Sequence, residues 1–109
     1  MHNILVMAYA VYKTESFGKE VEKLSESDQD IIQNMLVKLA ENPYVGDMIK
    51  YKFFREKRIR EKRIYFLVYD DLSMVLAVAF GGKKAQQETI DEIIMCLPEF
   101  RKYAENLAR

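Results

Sequence analysis

The chain has 109 residues, with 17 Lys and Arg balanced by 17 Asp and Glu, and half of its residues are hydrophobic. That composition fits one small globular domain. No run approaches the roughly 20 apolar residues needed to cross a bilayer, the N-terminus lacks the basic start and small-residue cleavage site of a secretory signal, and Cys96 is the single cysteine. The expectation is a soluble cytoplasmic protein without an intramolecular disulfide. A neutral total argues against a nucleic-acid partner, but the distribution reverses the argument. Between residues 50 and 63, eight basic residues face two acidic ones, which leaves +6 in that stretch; with Lys83 and Lys84 it becomes +8, against −8 over the rest of the chain.

In chain order, Ile4 to Tyr12 mixes β-branched, aromatic and small apolar residues and reads as a strand. Met7 is equally a natural start, with residues 1–6 as an N-terminal extension. Thr14 is an N-cap ahead of Phe17, Val21 and Leu24, the stripe of a short amphipathic helix. Ser27 caps a second helix whose apolar side carries Ile31, Ile32, Met35, Leu36 and Leu39. Asn42-Pro43 stops it, because the residue before proline is pushed out of the α region. After a loop around Gly46 the period changes to two. Tyr51 to Arg58 and Arg63 to Tyr69 form a hairpin, and the apolar run Met74 to Phe80 is a central strand ended by Gly81-Gly82. A helix from about Gln87 carries Ile90, Ile93, Ile94 and Leu97. Pro98 either kinks it or opens a fourth helix with Phe100, Tyr103 and Leu107, so 98–109 is a C-terminal helical segment. The order β-α-α-β-β-β-α predicts an α+β domain spanning 1–109, with an N-terminal helical hairpin on a twisted antiparallel sheet.

The hairpin can be read face by face. A four-residue connection pairs Arg58 with Arg63, and side chains alternate. One face then shows Lys52, Phe54, Glu56 and Arg58 beside Arg63, Tyr65, Leu67 and Tyr69. The other shows Tyr51, Phe53, Arg55 and Lys57 beside Ile64, Phe66 and Val68, and is the better cover for the helices. The same parity, carried across the Asp70 to Ser73 turn, puts Phe80 and Lys84 on the first, polar face. Guanidinium forks bind phosphate oxygens bidentately, and tyrosine rings stack on unpaired bases, so this face suits a phosphodiester. If it cleaves RNA, its cations stabilise the charge of the pentacoordinate transition state while Tyr65 or Glu56 takes the 2′-hydroxyl proton. Lys52, Arg55, Lys57, Arg60, Lys62 and Lys83 are candidate phosphate-binding residues around it. No His, Cys, Asp or Glu grouping has a metal-ligand spacing, so no cofactor is expected. The same charges also suit a solvated hairpin end, and Tyr65 and Tyr69 also suit packing at the sheet margin.

The order of elements and several strings resemble the RelE/ParE superfamily of type II toxin-antitoxin toxins. Met7-Ala8-Tyr9 to Leu24 looks like the family's first strand and helix, and Leu36 to Pro43 (LVKLAENP) is similar to its second-helix ending. Phe54 to Arg58 and Arg63-Ile64-Tyr65-Phe66 resemble its hairpin strands. The stretch from Ala79 to Gln87, with Ile90 to Ile94, is most like the HigB-like branch. The resemblance covers Met7 to about Tyr103.

It implies an antitoxin partner with a RelB-like amphipathic helix, and in the RelE and HigB branches ribosome-dependent cleavage of messenger RNA and inhibition of translation. By position, Arg63 matches the arginine that contacts the scissile phosphate, Arg58 a basic residue of the preceding strand, and Lys84 the basic residue after the last strand. Phe54 and Glu56 stand where RelE members carry two lysines, Ile90 falls near the place of a late tyrosine, and Arg60-Glu61-Lys62 replaces a turn glycine. These departures keep two alternatives open: a non-catalytic ParE-like inhibitor of DNA gyrase, or a degenerate RelE-fold binding module.

Overall fold

The computed structural model describes residues 8–109. The predicted first strand lies partly outside them; within them, β1 is Ala10–Lys13. The helical hairpin follows as α1, Glu15–Glu22, and α2, Glu26–Glu41. Thr14 caps α1 as expected, its Oγ1 accepting from the Phe17 amide at 3.2 Å. The cap of α2 is Ser25 rather than Ser27, with Ser25 Oγ accepting from the Asp28 amide at 3.2 Å. That choice places Gln29 in the first turn, where its amide donates to the Leu24 carbonyl at 3.0 Å and so helps satisfy the open end of α1.

The sheet has five strands in the order β1-β5-β4-β3-β2. A short β2, Asp47–Ile49, occupies part of the expected loop, and Lys50 alone, at φ 61, links it to β3, Tyr51–Ile59. The strand β4 is Lys62–Tyr69, and Arg58 pairs with Arg63 as counted. Only Arg60 and Glu61 make the turn, with Arg60 at φ 56. The strand β5 is Met74–Gly82, running two residues beyond the predicted end. The sheet is antiparallel except at one edge, where β1 lies parallel to β5. Two reversals after β3 bring β5 back in the direction of β1, with the helical hairpin and the β3-β4 pair as the crossover. The chain ends in α3, Gln86–Met95, and α4, Leu97–Leu107, with Pro98 in the first turn of α4.

Each face of the sheet is covered. Ile64, Phe66, Val68, Val75 and Ala77 pack against Phe17, Ile32, Leu36 and Leu39 of the helical hairpin. Phe54, Tyr65, Leu67, Met74, Leu76 and Val78 pack against Ile93 and Ala104 of the C-terminal helices. Half of the face read as polar is therefore a second core, in which full burial of each large side chain contributes about 1.5–3 kcal/mol. Only its end beside the β3-β4 turn stays polar. No helix of the described residues is long and apolar enough to cross a membrane.

Candidate functional site

At that end, Glu56, Arg58, Arg63 and Tyr65 come from the paired strands, in the register Glu56 to Tyr65 and Arg58 to Arg63. Across β4, Arg63 pairs with Gly81, where an added Cβ would meet nothing within 4 Å. The single turn Lys83–Ala85 then leads into α3 and delivers Gln86. Arg63 Nε lies 3.6 Å from Glu56 Oε1, with the side chains only 12% and 15% exposed. This is a Coulombic contact beyond hydrogen-bond range. Gln86 Nε2 donates to the other carboxylate oxygen at 3.3 Å.

Arg63 Nε and the Tyr65 hydroxyl are buried without a hydrogen-bond partner. Burial raises the Tyr65 pKa, Glu56 raises it further, and Arg63 opposes the shift. Those influences favour the neutral phenol, whose hydroxyl is suited to donating, and of the two candidate bases Glu56 is the one that lies against Arg63. Arg58 is exposed and spans the turn, its Nε donating to the Arg60 carbonyl at 3.0 Å. Lys83 and Lys84 are exposed on the turn that follows β5.

The other candidates lie elsewhere. Arg55 is committed to the main chain: its guanidinium donates to the Gly46 carbonyl at 2.7 and 3.2 Å, to that of Tyr44 at 3.3 Å and to that of Lys52 at 3.0 Å. It also stacks on the Tyr44 ring, and its role is to fasten the segment between α2 and β3. Lys52 lies near the same ring, 5.4 Å from its centre, at the far end of β3, six residues or about 20 Å from Arg58 along the strand. Lys57, Arg60 and Lys62 belong to the side of the helical hairpin. Lys57 pairs with Ile64 on that face, Arg60 reaches Asp28 of α2 at 3.1 Å, and Lys62 sits over Phe80.

Phe80 itself is on the helical-hairpin face, edge-on to Phe17. The parity count misplaced it because a β-bulge intervenes: Tyr65 pairs with Ala79 and Phe66 with Ala77, so Val78 is an extra residue and every later side chain changes face. Gln86 was absent from the candidates, although it stands in the Lys-Lys-Ala-Gln-Gln string. At the opposite end of the sheet, Asp70 accepts from the hydroxyls of Tyr9 and Tyr44 at 2.7 and 2.8 Å. Those two bonds hold its pKa below the usual carboxylate range. Asp71 holds α4 through a fork to Arg101.

A helical hairpin on one face of a five-stranded mixed sheet and C-terminal helices on the other make this a small α+β domain, with an arginine-carboxylate pair at its hairpin end. The fold is that of the RelE toxins. It is similar to a doubly substituted, free E. coli RelE, with a TM-score of 0.67 and 21% identity over 80% of this chain and 99% of that one. It is similar to the E. coli RelBE toxin-antitoxin complex, at 0.62 and 22% over 69% and 96%. A third likeness is to the RelBE2 toxin-antitoxin complex of Mycobacterium tuberculosis, at 0.63 and 16% over 75% and 98%. No family model and no curated protein matches the chain.

Proposed function

We propose that the protein is the toxin of a type II toxin-antitoxin system and that its hairpin end binds and cleaves messenger RNA on the ribosome. One observation carries the reading: Arg63 and Glu56 stand side by side and largely buried, at 12% and 15% exposure, with Arg58 paired opposite Arg63 and with Lys83 and Lys84 exposed on the turn that follows β5. In this reading Arg63 and Arg58 receive the non-bridging oxygens of the scissile phosphate, and Lys84 adds positive charge. Glu56 takes the proton of the 2′-hydroxyl as that oxygen bonds to phosphorus. The bond to the 5′ oxygen breaks, a 2′,3′-cyclic phosphate forms, and the leaving oxygen takes a proton from water. The cations hold the charge of the pentacoordinate state, and the Tyr65 hydroxyl, unpartnered in the free protein, is a donor held ready beside them.

The RelE structures solved with RelB support an antitoxin partner of the same kind. Its expected form is an acidic amphipathic helix. An apolar groove of about 190 Å³, lined by Leu24, Ile31, Ile59 and Phe80 and edged by the pairs Arg60 and Lys62, Asp28 and Glu61, offers it apolar contact.

A second reading has its own support. Glu56 occupies Arg63 where RelE members carry lysine, which favours a non-catalytic role such as gyrase inhibition or a binding module. Purified protein added to programmed ribosomes, with cleavage mapped by primer extension, separates the two. Cuts within the ribosome-bound message support the nuclease. Intact message together with inhibited supercoiling supports the gyrase reading, and intact message with normal supercoiling supports the binding module.

A further inference from the structure

A carboxylate against the phosphate-binding arginine is an uncommon neighbour for a site that must accept an anion. Glu56 is held there weakly on each side. Its Oε1 faces Arg63 Nε at 3.6 Å, too far for a hydrogen bond, and its Oε2 accepts one long bond of 3.3 Å from Gln86. The two contacts use different oxygens, so the carboxylate spans the gap between β4 and the start of α3. A phosphodiester presents two non-bridging oxygens of similar spacing to a guanidinium, and the same fork accepts either group.

The neighbours explain why the position is not filled by a stronger bond. Gly81 pairs with Arg63 and brings no side chain, the Tyr65 hydroxyl and Arg63 Nε have no hydrogen-bond partner, and Gln86 reaches Glu56 from a helix that begins only four residues after Gly82.

Resting on the RNA-binding reading above, we propose that Gln86 is a positioning residue that parks the Glu56 carboxylate beside Arg63, where it stands in for phosphate until an incoming phosphodiester displaces it. Displacement then does two things at once. Arg63 exchanges one anion for another, so its desolvated charge is never left alone, and Glu56 is turned toward the ribose side, where a base is needed. The site therefore discriminates against weak or singly contacting anions, because any ligand must outcompete a tethered one.

The test is binding of a fluorescein-labelled RNA, 2′-O-methylated throughout so that it cannot be cleaved, read by anisotropy for the wild type, Glu56→Gln, Gln86→Ala, Arg63→Ala and Glu61→Gln. Glu61, exposed at the hairpin tip, reports the effect of simply removing a nearby negative charge. The expected result is binding about tenfold tighter for Glu56→Gln and about twofold for Glu61→Gln, since a partly buried charge at contact distance acts more strongly than a solvated one. Gln86→Ala, which changes no formal charge, should tighten binding about threefold, the value of losing one long, weak hydrogen bond that holds the competitor.

Binding by Gln86→Ala that equals or falls below the wild type overturns the proposal, as does Glu56→Gln no tighter than Glu61→Gln. If the wild type binds and Arg63→Ala does not, such a result leaves the RNA-binding reading standing. If no variant binds RNA, the proposal falls, and the cleavage of ribosome-bound message described above decides the RNA reading by itself.

Discussion

Replacing Tyr65 by Phe separates what the site costs from what it does. The ring is fully buried between the sheet and the C-terminal helices, and its hydroxyl is buried without a hydrogen-bond partner. A buried hydroxyl left unpaired costs roughly 1–3 kcal/mol in proteins, whereas losing one oxygen's volume from a packed ring costs less. Tyr65→Phe should therefore stabilise the fold by about 1 kcal/mol, a rise in Tm of about 4 °C or more for a domain near 100 residues. The same change removes a donor beside Arg63 and Glu56, so cleavage of ribosome-bound message should slow even as stability rises. Thermal and urea unfolding followed by circular dichroism, with primer extension on the same preparations, measures both. A loss of 1 kcal/mol or more would show instead that the hydroxyl is paired in the folded protein.

Three further outcomes follow from the geometry. A Cβ at Gly46 would lie 2.5 Å from the Glu56 carbonyl oxygen and 3.0 Å from the Phe66 ring. Gly46→Ala should accordingly cost about 1–3 kcal/mol in denaturant midpoint and disturb the strand that carries Glu56. Arg55→Lys should destabilise through the lost carbonyl bonds while leaving RNA affinity within about twofold, unlike Arg63→Lys, since an ammonium cannot reproduce the fork. Asp70 has its folded pKa depressed by the two tyrosine hydroxyls. Its contribution is present above the unfolded carboxylate value and is lost as pH falls through the folded one. Stability should therefore decline below about pH 4, and Asp70→Asn should flatten that part of the profile in acid titrations of unfolding.

Much of the architecture was legible because local chemistry and tertiary packing agree. Thr14 caps where a cap is needed, Asn42-Pro43 stops α2, and period two marks the β3-β4 hairpin in its true register. What failed to show were effects that depend on distant partners. The bulge at Val78 follows from how β5 meets β4, and it moved Phe80 to the other face. The C-terminal helices cover Phe54, Tyr65 and Leu67, so half of an apparently polar face became core. Basic residues could be counted but not assigned, because Arg55 answers main-chain carbonyls and Arg60 answers Asp28 on α2, a neighbour 32 residues away in sequence. Gln86 carried no chemistry of its own until the sheet placed it against Glu56.

Arg63 is the centre of the proposed phosphodiester-cleaving site, and growth after induced expression of wild type and Arg63→Ala, with primer extension on translated messages from the same cultures, probes that role in the cell. Growth arrest with new 5′ ends in the wild type, and neither in Arg63→Ala, is the predicted result. Equal arrest by both proteins without cleavage of any message would contradict it.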